Sequence, residues 1–120
     1  MSVDFTFPKE VRLLTASDYS NVFQDVKLRV SSKNFLSLAR PYEKDHPRLG
    51  IIIAKKNVKL AVERNRIKRQ LRETFRKQRL LLPSLDIVLL TKKGVDEQNN
   101  FLIAKELDYL WQKLKLKAVK

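Results

Sequence analysis

Two short, almost wholly apolar runs, residues 49–54 and 85–90, flank a long stretch with a different rhythm, and this pattern constrains the fold more than any other feature. Apolar runs of about six residues have the length of a strand covered on both faces, whereas helices need about ten or more. Residues 58–81 repeat with a helical period instead. Leu60, Ile67, Leu71 and Phe75 fall on one stripe at about 100° per residue, Asn57 is placed to cap the start, and Pro83 stops the end. Strand, helix, strand is the unit that joins parallel neighbours, for which a right-handed crossover is the general expectation. The first run, Leu49 to Ala54, reads as a central strand.

The remaining segments arrange themselves around that unit. Thr15 to about Asp25 predicts a helix, with Thr15 as cap, Asp18 at the third position, and Leu14 and Tyr19 at the spacing of a hydrophobic staple. Tyr19 and Phe23 then share a face. Residues 27–30 and 34–42 read as strands, followed by a polar turn in which His46 is a solvated loop residue. After Gly94 a last helix from about residue 98 carries Ile103, Leu107, Leu110, Trp111 and Leu114 at helical spacing. Residues 1–13, with Phe5, Phe7 and Pro8, read as an extended arm, and residues 115–120 as a basic tail. At 120 residues the chain has room for one core, so a single domain over 1–120 is expected. The order α-β-β-β-α-β-α predicts an α+β, or α/β sandwich, architecture: one sheet with helices packed on it.

Charge narrows the function. The formal net charge is +13, and between Lys55 and Arg79 eleven lysines and arginines stand against Glu63 and Glu73 alone. Such a field draws polyanions by steering and counterion release. On the helical wheel Arg64, Lys68, Arg72, Arg76 and Arg79, with Asn65 and Arg69, form an arc beside the apolar stripe. A charge run is commonly just a solvated face, but solubilising faces intersperse signs, and Arg64, Lys68, Arg72 and Arg76 make an i, i+4 ladder of like charge. A bound phosphate backbone would relieve it, and the arginine fork suits phosphate oxygens. No apolar run approaches the roughly 18–20 residues that span a membrane, no signal-peptide pattern opens the chain, and cysteine is absent. These features predict a cytoplasmic protein without disulfides or thiolate metal sites. The carboxylates are scattered, so no protein nuclease centre and no metal site is expected. A general RNA-binding protein such as a ribosomal one, a DNA-binding regulator and a nuclease acting alone are the rival readings. The regulator lacks a zipper or paired-helix turn to set half-site spacing.

The segment Lys55-Lys56-Asn57-Val58-Lys59-x-Ala61-x-x-Arg64-Asn65-Arg66-Ile67-Lys68-Arg69-x-x-Arg72-Glu73 closely resembles the signature of the ribonuclease P protein family. Arg48-Leu49-Gly50, the Tyr19 and Phe23 pair, Arg12-Leu13 and Leu110-Trp111 agree with it, so the resemblance covers essentially the whole chain. It implies one mixed four-stranded sheet with three helices, like the second domain of a ribosomal protein, and a left-handed βαβ crossover in place of the usual hand. It implies a protein subunit of an endoribonuclease whose catalytic centre lies on an RNA subunit that holds magnesium. That holoenzyme removes the 5′ leader from precursor tRNA. By the same resemblance Lys59, Arg64, Asn65, Arg66, Lys68, Arg69 and Arg72 would bind the catalytic RNA, while Tyr19, Phe23, Phe35, Lys55 and Lys56 would bind the leader. Ile52 and Leu38 stand where a polar or aromatic cleft residue can appear in the family. Neither a membrane nor an obligate protein partner is expected.

Overall fold

The computed structural model describes residues 11–118. Helix α1 (Ala16–Gln24) is followed by strands β1 (Leu28–Ser31), β2 (Phe35–Pro41) and β3 (Arg48–Ile52), helix α2 (Ala61–Gln78), strand β4 (Leu85–Thr91), a 3-10 turn at Val95–Glu97 and helix α3 (Asn100–Ala118). The expected order is reproduced. The strands form one mixed sheet in the order β1-β2-β4-β3, with β1-β2 and β2-β4 antiparallel and β3-β4 parallel. The long helix α2 therefore joins two adjacent parallel strands.

β3 is not central. It is the outermost of the four strands, and β4, buried along nearly its whole length, sits between β2 and β3. β3 looks central because its free edge is covered: Arg12 bridges Leu49 in parallel, and the Leu13 N–H donates to the Leu49 carbonyl at 3.1 Å. Burial on both faces does not require a strand on both sides.

Alternation along the strands divides the side chains between two layers. On one face Phe35, Ala39, Leu49, Ile87 and Leu89 join Ile67, Leu71 and Phe75 of α2 and the α3 stripe in the main core. All five residues expected to face inward from α3 are fully buried. Trp111 packs on Phe75 with ring centres 5.8 Å apart, and its Nε1–H donates to the Thr74 hydroxyl at 3.1 Å, so this buried indole keeps a partner. On the other face a smaller cluster of Leu13, Val22, Leu38 and Val88 seats α1.

The ends of the helices follow different rules. At α1 the expected capping box is present: the Asp18 N–H donates to the Thr15 hydroxyl at 3.1 Å, and the Asp18 carboxylate accepts from the N–H groups of Thr15 and Leu14. Leu14 is exposed rather than stapled. α2 begins three residues later than its sequence pattern suggests, with Leu60 at the cap position, exposed and outside the stripe. Asn57 does not cap it; its amide nitrogen donates instead to the Thr91 carbonyl at 3.1 Å, holding the loop before α2 against the end of β4. α3 runs through Lys115 and Lys117, so the described part of the segment expected to be a basic tail is helical. Of the N-terminal arm, residues 1–10 with Phe5, Phe7 and Pro8 lie outside the described residues, while Val11 and Leu13 are buried.

Candidate nucleic-acid interface

α1 crosses the sheet asymmetrically. At one end Arg48 makes a bidentate pair with Asp86, both bonds 2.8 Å, and lies 3.9 Å over the Tyr42 ring, while its guanidinium approaches Asp18 at 3.7 Å. Arg40 donates to the Asn21 carbonyl at 3.2 Å and reaches Asp25 at 3.8 Å. Arg48 is held protonated above its ordinary range, chiefly by its hydrogen bonds to Asp86. Partial burial pushes the Asp18 carboxyl up, but the Leu14 and Thr15 N–H groups, with Arg48, outweigh it and hold the group below the usual aspartate value. One flank of α1 is thus tied down by charge.

The helical period sends Tyr19 and Phe23 to the flank opposite Asp18, Asn21 and Asp25, with Val22 pointing into the sheet. That flank overlooks three partly buried apolar residues, Leu36, Leu90 and Ile52, which are paired across β2, β4 and β3 in one row. Phe23 is 44% exposed. Tyr19 is partly buried and its ring rests on Gly50, where a Cβ would lie 2.6 Å from the ring; only a residue without a side chain allows this approach. Lys55 and Lys56 are exposed in the turn that follows β3. The result is a shallow trough with one aromatic wall, on α1, and an apolar floor, and with two exposed lysines in the turn after its β3 side, features suited to unstacked bases and their phosphates.

Phe35 does not belong to this trough. It is fully buried in the core on the α2 and α3 side, because adjacent strand residues face opposite layers and its neighbour Leu36 takes the trough side. Leu38, which does face α1, is buried beneath it. Leu36 and Leu90 are the residues that sequence reading misses; the two-residue alternation, with Phe35 assigned to the core, is the signal that finds them.

On α2 the basic residues divide into two kinds. Some hold the protein together. Arg64 donates to the carbonyls of Val58 and Lys59, both at 2.9 Å, pinning the preceding loop to the first turn of the helix. Arg66 bonds Glu63 at 2.8 Å, the Asn100 side chain at 2.8 Å and the Asp96 carbonyl at 3.1 Å, tying α2 to the start of α3. Arg76 pairs with Glu73, so the like-charge ladder is partly relieved from within. The others face outward. Lys59, Asn65, Arg69 and Arg72 are exposed and Lys68 is partly so. Lys68 and Arg72 also line a cavity of about 240 Å³ together with Arg12, Leu13, Tyr19, Leu49 and Ile51. Around the edge of β3, therefore, the basic face of α2 and the aromatic flank of α1 adjoin.

His46 is half-buried in its loop, with its ring edge against Tyr42 at 5.6 Å. Among the described residues no group of three or more histidine, cysteine, aspartate or glutamate side chains could hold a metal ion, and no helix is long and apolar enough to cross a membrane.

Comparison with known proteins identifies the family. The Ribonuclease P family profile matches residues 7–115. A ribonuclease P protein component from Marinobacter nauticus is 53% identical over 112 residues, covering 93% of this chain and 84% of that one. Another, from Photorhabdus laumondii, is 49% identical and covers 92% of each chain. Among solved structures, a Staphylococcus aureus RNase P protein mutant described as defective in mRNA degradation activity superposes with a TM-score of 0.81 at 26% identity over 87% of both chains. The RNase P protein from Thermotoga maritima gives 0.74 at 29% identity, over 84% of this chain and 94% of that one. On the match of nearly its whole length to the family profile and to these relatives, the chain belongs to the ribonuclease P protein family.

Proposed function

We propose that the chain acts as the protein subunit of ribonuclease P by gripping two RNAs at once: the catalytic RNA with the outer face of α2, and the single-stranded 5′ leader of precursor tRNA with the trough beside α1. The observation that carries this reading is the shared cavity at the β3 edge, which brings Tyr19 within one site of Lys68 and Arg72. A stacking surface and a phosphate-binding surface meet there. Lys59, Lys68, Arg69 and Arg72, with Asn65, contact the catalytic RNA, while Arg64 and Arg66 act chiefly by fixing the loop and the α2–α3 junction that present them. Tyr19 and Phe23 stack leader bases above Leu36, Leu90 and Ile52, and Lys55 and Lys56 take leader phosphates.

Hydrolysis of one phosphodiester bond leaves a 5′-phosphate on the mature tRNA and a 3′-hydroxyl on the leader. In this reading the reaction and its magnesium belong to the catalytic RNA. The chain's contribution is electrostatic and positional: neutralising crowded phosphates and holding leader-bearing substrate in preference to product. Such work needs no obligate protein partner and belongs in the cytoplasm, where tRNA precursors are processed.

The test is reconstitution with the catalytic RNA on precursor tRNA at low magnesium. Addition of the chain is expected to stimulate cleavage strongly, and absence of stimulation would overturn the proposal. Phe23→Ala should lower the preference for leader-bearing over mature tRNA about fivefold or more, the low end for one stacked base, while leaving affinity for the catalytic RNA unchanged.

A further inference from the structure

We propose that the solvent-facing side of α3 is a second binding surface for single-stranded RNA, separate from both α2 and the trough beside α1. The inner stripe of α3 is buried in the core. Its two flanks are also committed. Toward α2, Asn100 meets Arg66, Trp111 meets Thr74, and the Lys115 ammonium donates to the Gln78 side chain at 2.7 Å. Toward the β1–β2 hairpin, the Glu106 carboxylate accepts from the Asn34 N–H at 2.7 Å, and Lys117 donates to the Arg29 carbonyl at 2.7 Å.

What remains faces water, yet it is not built like a solvated face. Phe101 is 67% exposed and Tyr109 50%, with Leu102 and Leu116 exposed beside them. Phe101, Lys105, Tyr109 and Lys113 follow one another at every fourth residue and so form a single row. Each lysine caps the ring before it: the Lys105 ammonium lies 5.1 Å from the Phe101 ring centre and that of Lys113 5.6 Å from the Tyr109 ring centre. The two rings stand about 12 Å apart along the helix axis.

Alternating rings and ammonium groups match one class of partner on both counts. Bases of an unpaired strand stack on exposed rings, and the lysines move from the rings to the phosphates between them. Among the described residues of α3, Asp108 is the one exposed acid, and it does not reverse the charge of Lys105 and Lys113. A second copy of the chain fits poorly, because it would bring two +13 molecules together with these lysines face to face. An acidic protein would use the cations but give the rings no stacking partner. Since α1 and α3 cover opposite faces of the sheet, the strand on α3 is not the segment lying in the trough.

The experiment is a titration of the intact, amide-labelled protein with a ten-nucleotide oligouridylate, following α3 and trough resonances separately. Saturable shifts are expected along the outer side of α3. The double variant Phe101→Ala/Tyr109→Ala, which alters only exposed side chains, should weaken that set about thirtyfold or more and leave the trough set unchanged. Lys105→Gln/Lys113→Gln should weaken the α3 set as well and reduce its salt dependence. Three results would each overturn the inference: no α3 shifts at saturating oligonucleotide, α3 shifts that persist in both variants, or concentration-dependent dimerisation that the aromatic variant abolishes. Failure on α3 leaves the reading of α2 and the trough intact, because those surfaces report through their own resonances.

Discussion

Gly50→Ala links the packing of the protein to its use of the leader. The added Cβ would sit 2.6 and 2.7 Å from two atoms of the Tyr19 ring and 2.9 Å from a methyl of Leu13, where ordinary carbon contacts begin near 3.4 Å. Gly50 is in a hydrogen-bonded strand and cannot retreat far, so the ring must move by about 0.8 Å or α1 must lift. Overpacking of this kind costs about 1–3 kcal/mol. The charged flank of α1, held by Arg48 and Arg40, resists, so the yielding side is the one that bears Tyr19 and Phe23. The variant should therefore unfold in urea at a midpoint lowered by that free energy divided by the slope, with the slope itself unchanged. It should also lose preference for leader-bearing tRNA while binding the catalytic RNA normally. Native stability together with native leader preference would refute the reasoning, since it would mean that the contact between Tyr19 and Gly50 positions nothing.

Other perturbations probe the supports of the same surfaces. Arg48→Ala strands the Asp86 carboxylate, which is 5% exposed, and should cost about 3–5 kcal/mol by chemical denaturation; a loss below about 1 kcal/mol would mean that water replaces the arginine. Thr74→Val removes the acceptor of the buried Trp111 N–H and should cost about 1–3 kcal/mol, with altered tryptophan emission; unchanged stability would count against that hydrogen bond. Asp18 titrates below its ordinary value in the folded protein, so its contribution is present above the unfolded pKa and fades as pH falls through the folded one. Asp18→Asn should accordingly flatten the loss of stability below about pH 4, and a denaturation series against pH that matches the parent would contradict this.

The parts of this fold that local physics controls are legible from residues alone. The Thr15–Asp18 capping box, the stripe from Ile103 to Leu114 and the parallel pair on either side of α2 all follow from spacing. Errors arise where a residue's role depends on segments far away in the chain. Leu49 to Ile52 reads as central because its edge is sealed by Arg12 and Leu13, some forty residues earlier. Asn57 has the chemistry of a cap, but its partner is the Thr91 carbonyl. Phe35 has the chemistry of a stacking platform, but one step of strand parity places it in the core. On α2 the sequence pattern does not separate Arg64 and Arg66, which bind the protein's own carbonyls and acids, from Lys68 and Arg69, which face outward.

The most direct test of the central claim, that the outer face of α2 holds the catalytic RNA by its phosphates, is the salt dependence of that complex. Affinity should fall linearly on logarithmic axes as salt rises, and replacing Lys59, Lys68 and Arg69 together by glutamine should reduce the slope by about 2–3. A triple variant that binds more weakly or equally well but with the parent's slope would show that these side chains displace no counterions, and would contradict the account.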